Sequence, residues 1–375
     1  MSMSKSTSKG MSKSTSRSKK VSTVWFKPHD PKAPAGALAR EIGRLFDAAG
    51  FARLVEPDDL FAIKLHFGEV KTRSQIPPAA VRLVADKIKA AKGKPFLIET
   101  STLYTGRRHN AVDHLMLAHE HGFTLEATGA PIIMADGLLG ESQVEVRIDG
   151  KHFKQVKVAT GARAARGLLV LSHATGHPEA GFGAAIKNVS MGLSSRGGKL
   201  SQHSGVKPSV KQQDCVGCKI CAEWCPAHAI EVDKKAEIDE AKCVGCGQCF
   251  AVCPHGAIQH DWGAGTRGLQ EKMAEVVLGV VKGREKKVGY INVLKHITKG
   301  CDCFGSLEEP GMPDVGVLAS HDPIAIDTAT YDLMLQHGGA DLFKKWWPHT
   351  EPTVQLEYGE SLGLGSRQYE VVKVE

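Results

Sequence analysis

Short apolar runs alternate with amphipathic stretches along residues 21–200. Runs at 21–26 (VSTVWF), 60–67 (LFAIKLHF), 94–100 (KPFLIET), 131–136 (PIIMAD), 142–148 (SQVEVRI) and 167–172 (GLLVLS) read as strands. Several lack in–out alternation, as strands covered on both faces do. Between them, 37–50, 77–93 and 110–123 repeat apolar positions at helical spacing. The pattern resumes late in the chain with a helix over 268–284, strands over 287–295 and 315–320, and a helix over 322–338. Asp322 and Pro323 read as the N-cap and first residue of that last helix. The final YEVVKV predicts an edge strand. The order predicts an α/β fold, a mainly parallel sheet with helices on both faces. Residues 21–207 and 263–375 form its two parts, and 208–262 is an insert with a different pattern.

Charge changes this picture little. The formal net charge is +7, but residues 1–20 carry six basic and no acidic residues, leaving 42 basic against 41 acidic. A near-neutral body argues against a nucleic-acid surface. The Ser/Lys-rich tail has almost nothing to bury and is expected to be disordered. It has no apolar segment of a secretory signal. No run approaches the about 20 apolar residues of a membrane span. The expectation is a cytoplasmic protein with no membrane or nucleic-acid partner, whose cysteines serve as ligands rather than disulfides.

Eight of the ten cysteines fall between 214 and 259. A shift of 28 residues lays Cys215, Cys218, Cys221, Cys225 and Pro226 onto Cys243, Cys246, Cys249, Cys253 and Pro254. Each half reads C-x2-C-x2-C-x3-C-P, the run of bacterial two-cluster ferredoxins. Three cysteines at intervals of three wrap one cubane; the fourth, beyond the turn, serves the other. Cys215, Cys218, Cys221 and Cys253 are therefore assigned to one [4Fe–4S] cluster, and Cys243, Cys246, Cys249 and Cys225 to the second. Gly217, Gly245 and Gly247 let backbone amides approach the sulfides. A four-thiolate zinc site from Cys215/Cys218 and Cys243/Cys246 leaves four regularly placed cysteines unexplained. The stretch 263–268 (GAGTRG) matches a dinucleotide fingerprint but lacks its strand and acidic partner, and reads as a linker.

Four polar stretches fall at strand ends, where open α/β sheets bind ligands. IKLHFGE (63–69) places Lys64 and His66 on one face of a strand, followed by Glu69. ETSTLYTGRRHN (99–110) brings Arg107 and Arg108 to a helix start, suited to an anion. The stretch 172–199 carries His173, His177, Lys187 and Asn188 in a glycine-rich segment. The stretch 301–332 opens with Cys301 and Cys303 flanking Asp302, two thiolates suited to a metal or to a redox centre; a disulfide between them would be strained. Each stretch also has a plainer explanation: an edge strand's solvent face, a capped loop, a structural crossover, two inert thiols.

These stretches together, KLHFGE, ETSTLYTGRR, GHPEAGFGAAIKNVSMG, the insert, and CDC with PDVGVLASHDPIAID, resemble the DUF362 family of iron–sulfur proteins. The resemblance spans about 21–375 and implies an α/β fold carrying a 2[4Fe–4S] ferredoxin-type insert, with no reaction assigned. The GFGAAIKNVSMG loop is also similar, over a few residues, to a Gly–Lys loop of nickel-dependent lactate racemases. The expected function is electron transfer through two [4Fe–4S] clusters in a redox enzyme. His66, His173, His177, Lys187, Cys301 and Cys303 would do chemistry, Lys64, Glu69, Arg107, Arg108 and Asn188 would hold the ligand, and an additional metal would have room in the α/β part. The partner would be an electron donor or acceptor protein or a small-molecule substrate. The alternatives are a plain electron carrier docking a partner oxidoreductase, and a metal-dependent isomerase or lyase with structural clusters.

Overall fold

The computed structural model describes residues 21–375, apart from 35, 105, 204–207, 244, 246, 260–265 and 305–307. The tail at 1–20, Cys246, and 263–265 of GAGTRG lie outside the described residues.

Eight strands form one sheet: β1 (Ser22–Pro28), β2 (Leu60–Lys64), β3 (Lys94–Glu99), β4 (Ile132–Met134), β5 (Gly167–His173), β6 (Val288–Leu294), β7 (Gly316–Ser320) and β8 (Tyr369–Lys373). Their order is β8-β1-β7-β6-β5-β2-β3-β4. β6, β5, β2, β3 and β4 pair in parallel, as do β1 and β8. Only β7 runs against its neighbours. The predicted mainly parallel sheet is therefore the observed one, and the terminal strand lies at its edge.

Side-chain alternation divides the interior into two cores. On one face Tyr290 and Leu294 of β6, Leu168 and Val170 of β5 and Ala62 of β2 pack with helices α4 (Ala185–Gly192), α6 (Thr266–Val281) and α7 (Pro323–Gly338). On the other, Ile291 and Val293, Leu169 and Leu171, and Phe61 and Ile63 pack under α1 (Ala37–Ala48) and α2 (Pro78–Ala90). Each strand thus feeds both cores by its period of two, which is why the strands read as continuous apolar runs. At about 1.5–3 kcal/mol per buried aliphatic or aromatic side chain, these two layers hold the sheet together. Asp322 caps α7 by accepting from the amides of Ile324 and Ala325, as its sequence context predicts.

Three expectations need correction. The run at 142–148 does not join the main sheet: Gln143–Arg147 pairs with Gln155–Ala159 in a separate hairpin, whose Val146, Val156 and Val158 pack in the core with α6. Regular pairing of β2 ends at Lys64, so His66 lies beyond the strand. Thr266–Gly268, read as linker, is the first turn of α6.

Residues 208–259 fold apart from the sheet. Ser209–Val210 pairs with Ile258–Gln259, and Ile230–Val232 with Ala236–Ile238. Short helices at Ile220–Glu223 and Gln248–Val252 recur at the 28-residue shift. Cys215, Cys221 and Cys249 lie in the small core of this unit, which Leu103 and Leu200 of the α/β part also enter. Among the described residues no helix is long and apolar enough to cross a membrane.

Candidate functional site

The chain runs from β2 outward through β3 and β4, then returns to place β5 on the other side of β2. This reversal opens a crevice at the carboxyl ends of β2 and β5, the position where open α/β sheets bind ligands. A cavity of about 680 Å³ lies there, within the usual range for small-molecule sites.

Lys64 ends β2 and Glu99 ends β3; their charges meet at 3.0 Å in the interior. Lys64 Nζ also donates to Asn188 Oδ1 at 2.7 Å and to the Leu65 carbonyl at 2.9 Å. Asn188 Nδ2 donates in turn to the Leu171 carbonyl and Ser172 Oγ of β5, tying α4 across the crevice. Burial pulls the Lys64 pKa down, against the pull of the Glu99 charge. Gly192 makes room for this strut, since a Cβ there would lie 2.2 Å from Lys64 Cε.

The second wall is cationic and equally well braced. Arg108 is buried, donates through Nε to Glu69 at 2.7 Å, and contacts the Cys303 carbonyl at 3.3 Å. Tyr104 donates its hydroxyl to the same carbonyl at 2.9 Å. His66 lies between the Gly68 amide, which donates to Nδ1 at 2.8 Å, and the Arg108 guanidinium. Burial first, then the charges of Arg108, Lys64 and Lys187, hold His66 neutral well below its ordinary pKa. His177 is likewise neutral, by burial and the Lys187 charge. Its Nδ1 accepts from the amides of Glu179 and Ala180, which leaves the proton on Nε2.

α4 begins inside the glycine-rich segment because Asp327 of α7 receives its first amides, those of Ala185 and Ile186. Asn292 braces the same carboxylate. Lys187 on this helix reaches Cys301 Sγ at 3.3 Å. The next helix, α5 (Arg196–His203), adds Lys199 and His203, four residues apart and both at the cavity. Lys199 Nζ donates to Thr100 Oγ1 at 2.6 Å and to the Ser194 carbonyl at 2.8 Å. Burial pushes its pKa down to about 8 against the pull of Asp136 and Glu99. Leu103, Met191, Leu269, Met273 and Phe304 supply the apolar lining.

Of the residues singled out in the sequence, Lys64, His66, Glu69, Arg108, His177, Lys187, Asn188 and Cys303 converge on this cavity. Three do not line it. Arg107 points to solvent and pairs with Glu120, as a residue next to an inward-facing arginine on the same turn does. His173 is committed to Asp302 at 2.8 Å and to the Lys295 carbonyl at 2.7 Å. Cys301 stands behind Cys303, against Lys187. Asp302 turns away from the two thiols toward His173 and Ser74, so the three do not meet as one ligand set. Lys199, His203, Leu269 and Met273 were missed; their spacing of four is the helical signal that identifies them once α5 and the start of α6 are recognised.

The cysteines of the 208–259 unit ring two further cavities. Cys215, Cys218, Cys221 and Cys253 surround one. Cys225, Cys243 and Cys249 surround the other; Cys246 lies outside the described residues. Backbone amides point at the sulfurs at equivalent places, Ala229 to Cys225 and Ala257 to Cys253, each at 3.3 Å. The Ala236 amide approaches Cys215 Sγ at 3.3 Å as well, and together with the Gly217 amide holds that thiol below its usual pKa. Among the described residues no three His, Cys, Asp or Glu side chains converge on one ion.

Arg196 joins the two parts of the molecule. It is buried, and donates to the carbonyls of Thr102 and His109 in the loop that walls the large cavity. A Cβ on Gly247 would lie 3.1 Å from Arg196 Cγ. Its Nη1 is buried without a hydrogen-bond partner among the described residues. Burial pushes its pKa down to about 10, against the pull of Asp136, Glu141 and Cys249.

An α/β sheet with a braced switch-point cavity and a cysteine-rich unit against its wall is the class of molecule these features define. The chain belongs to the DUF362 family, described as a domain of unknown function, whose model matches residues 61–332. Among solved structures it is similar to the lactate racemase apoprotein of Thermoanaerobacterium thermosaccharolyticum, with TM-score 0.35 and 11% identity over 72% of this chain and 50% of that one. A Thermotoga maritima protein matches with TM-score 0.35 and 10% identity, over 72% of this chain and 52% of that one. The chain thus spans about half the length of these structures. No curated protein matches.

Proposed function

We propose that this chain is an iron–sulfur redox enzyme that carries two [4Fe–4S] clusters and delivers electrons to a small ligand in the switch-point cavity. The observation that carries this reading is the pairing of each cysteine set with its own cavity, crossed fourth ligands included: Cys253 faces Cys215, Cys218 and Cys221, and Cys225 faces Cys243 and Cys249. The amides aimed at sulfur and the left-handed glycines Gly217, Gly245 and Gly247, at φ of 71°, 62° and 73°, fit the same groups. Such clusters supply one-electron transfer at potentials set by charge, hydrogen bonds to sulfur and exposure.

The chain's own residues give the flow a direction. Cys218 is exposed, so the first cluster lies within reach of an electron-transfer partner. The second abuts Arg196 of the α/β part, which lies against Gly247 and feels the Cys249 charge, and so is the inner one. In the cavity, Arg108, Lys187 and Lys199 place cationic groups around the ligand, and neutral His66 and His177 are positioned to hold or move a proton. The plain-carrier alternative leaves this braced cavity of about 680 Å³ without a purpose.

A redox titration of anaerobic protein, followed by EPR, tests the reading; two one-electron reductions are expected. Arg196→Gln removes a buried positive charge beside the inner cluster. It is expected to lower that cluster's potential by on the order of 50 mV, close to a tenfold change in a one-electron equilibrium, and to leave the outer one unchanged. A protein with no reduced-cluster signal overturns the reading.

A further inference from the structure

The turn after β6 carries one thiol at the cavity and a second, two residues earlier, against Lys187, and we propose that Cys301 and Cys303 are a redox-active dithiol that exchanges with a small anionic disulfide bound in the switch-point cavity. The exchange stands on the residues of the turn and cavity. Its electron source rests on the two-cluster reading above.

The turn Asp302–Phe304 is clamped from every side. Asp302 is held by His173 at 2.8 Å and Ser74 at 2.6 Å, and its carbonyl accepts from Thr72 at 2.9 Å. The Cys303 carbonyl is held by Tyr104 and Arg108. This bracing is out of proportion to a structural role, since neither thiol belongs to the cores that hold the sheet. It fixes Cys303 at the cavity and Cys301 behind it, with Lys187 Nζ 3.3 Å from Cys301 Sγ.

The two sulfurs share a proton. The hydrogen bond from Cys303, followed by the Lys187 charge, pushes Cys301 down to about 5, while that same bond and burial push Cys303 well up. At neutral pH the pair is a monoanion. A disulfide between residues two apart closes a strained ring; strained disulfides are the labile, catalytic kind.

The exchange balances as follows. Cys303 gives its proton to the Cys301 thiolate and attacks one sulfur of the ligand disulfide. The ligand S–S bond breaks, a mixed disulfide forms at Cys303, and one thiolate leaves. Cys301 then attacks Cys303 Sγ; its proton goes to the second leaving thiolate. The ligand is reduced to two thiols, one of them ionised, and Cys301–Cys303 is oxidised to a disulfide. The disulfide reopens by taking up two electrons from reduced iron–sulfur centres and one proton, which returns to Cys303. Arg108, Lys187 and Lys199 favour an anionic ligand.

Holoprotein challenged anaerobically with dithiodiglycolate, trapped with maleimide and analysed by mass spectrometry tests the proposal. The wild-type peptide spanning 301–303 is expected to lose two hydrogens and both maleimide adducts. Cys301→Ser is expected to accumulate mercaptoacetate on Cys303, and Cys303→Ser to accumulate none. Protein oxidised in this way, with its clusters then reduced and excess reductant removed, is expected to regain two thiols as the EPR signal bleaches. Both thiols alkylated after challenge, in protein with its full iron content, overturns the exchange. A signal that persists beside an unopened disulfide overturns the electron source. Protein that holds no iron when purified anaerobically, and still forms the disulfide, upholds the exchange and overturns the two-cluster reading.

Discussion

Anaerobically prepared Cys253→Ser protein is expected to keep about four of about eight irons, and the iron it keeps belongs to the cluster of Cys243 and Cys249. Cys253 follows those residues in sequence, so a ligand set built from neighbours predicts the opposite loss. The structure places Cys253 with Cys215, Cys218 and Cys221 around one cavity. The charges of Cys253, Cys218 and Cys215, after burial itself, raise the pKa of Cys221. Serine is a poor substitute for thiolate, and a cubane with three ligands is readily lost. Cys225→Ser is expected to show the reverse. The two variants separate by the Arg196 effect, because only Cys253→Ser retains the cluster that Arg196→Gln shifts. Loss of the Cys243 cluster on Cys253→Ser contradicts the crossed assignment.

The second large effect is expected at Lys64. Lys64→Ala leaves Glu99 buried and without its counter-charge, and removes the donor that Asn188 Oδ1 accepts from. Breaking a buried pair from one side costs about 3–5 kcal/mol, because the remaining charge stays in a low-dielectric interior. The fall is read from the denaturant midpoint of iron-loaded protein. The double variant Lys64→Met, Glu99→Leu is expected to recover most of the loss, since it leaves no orphan charge. A cost below about 1 kcal/mol for Lys64→Ala, the range of exposed pairs, contradicts the role of this pair as the strut of the switch point.

The strands were legible because each follows from a strong local pattern. Leu168, Leu169, Val170 and Leu171 feed alternate faces of a doubly covered sheet, and any such strand reads as an unbroken apolar run. The cysteine repeat carries its own spacing, and the short strands and helices of the unit recur at the same interval. The glycine-rich segment was not legible as helix. Its helix α4 starts where the carboxylate of Asp327, more than a hundred residues on, receives the first two amides. No local cap announces that start.

Side-chain direction was hidden for a related reason. Arg107 and Arg108 are adjacent in sequence, yet one pairs with Glu120 at the surface and the other with Glu69 in the interior. His173 was a plausible cavity residue at the end of β5, but Asp302 and the Lys295 carbonyl take both its ring nitrogens. It holds the cysteine turn through Asp302. Lys199 and His203 escaped notice because recognising their shared face requires the helix first.

Iron-edge anomalous scattering from anaerobically grown crystals tests the central claim most directly. Two cubane-sized iron peaks are expected, one inside the ring of Cys215, Cys218, Cys221 and Cys253, the other beside Cys225, Cys243 and Cys249. Single zinc atoms between Cys215/Cys218 and Cys243/Cys246, or no iron in either cavity, would contradict it.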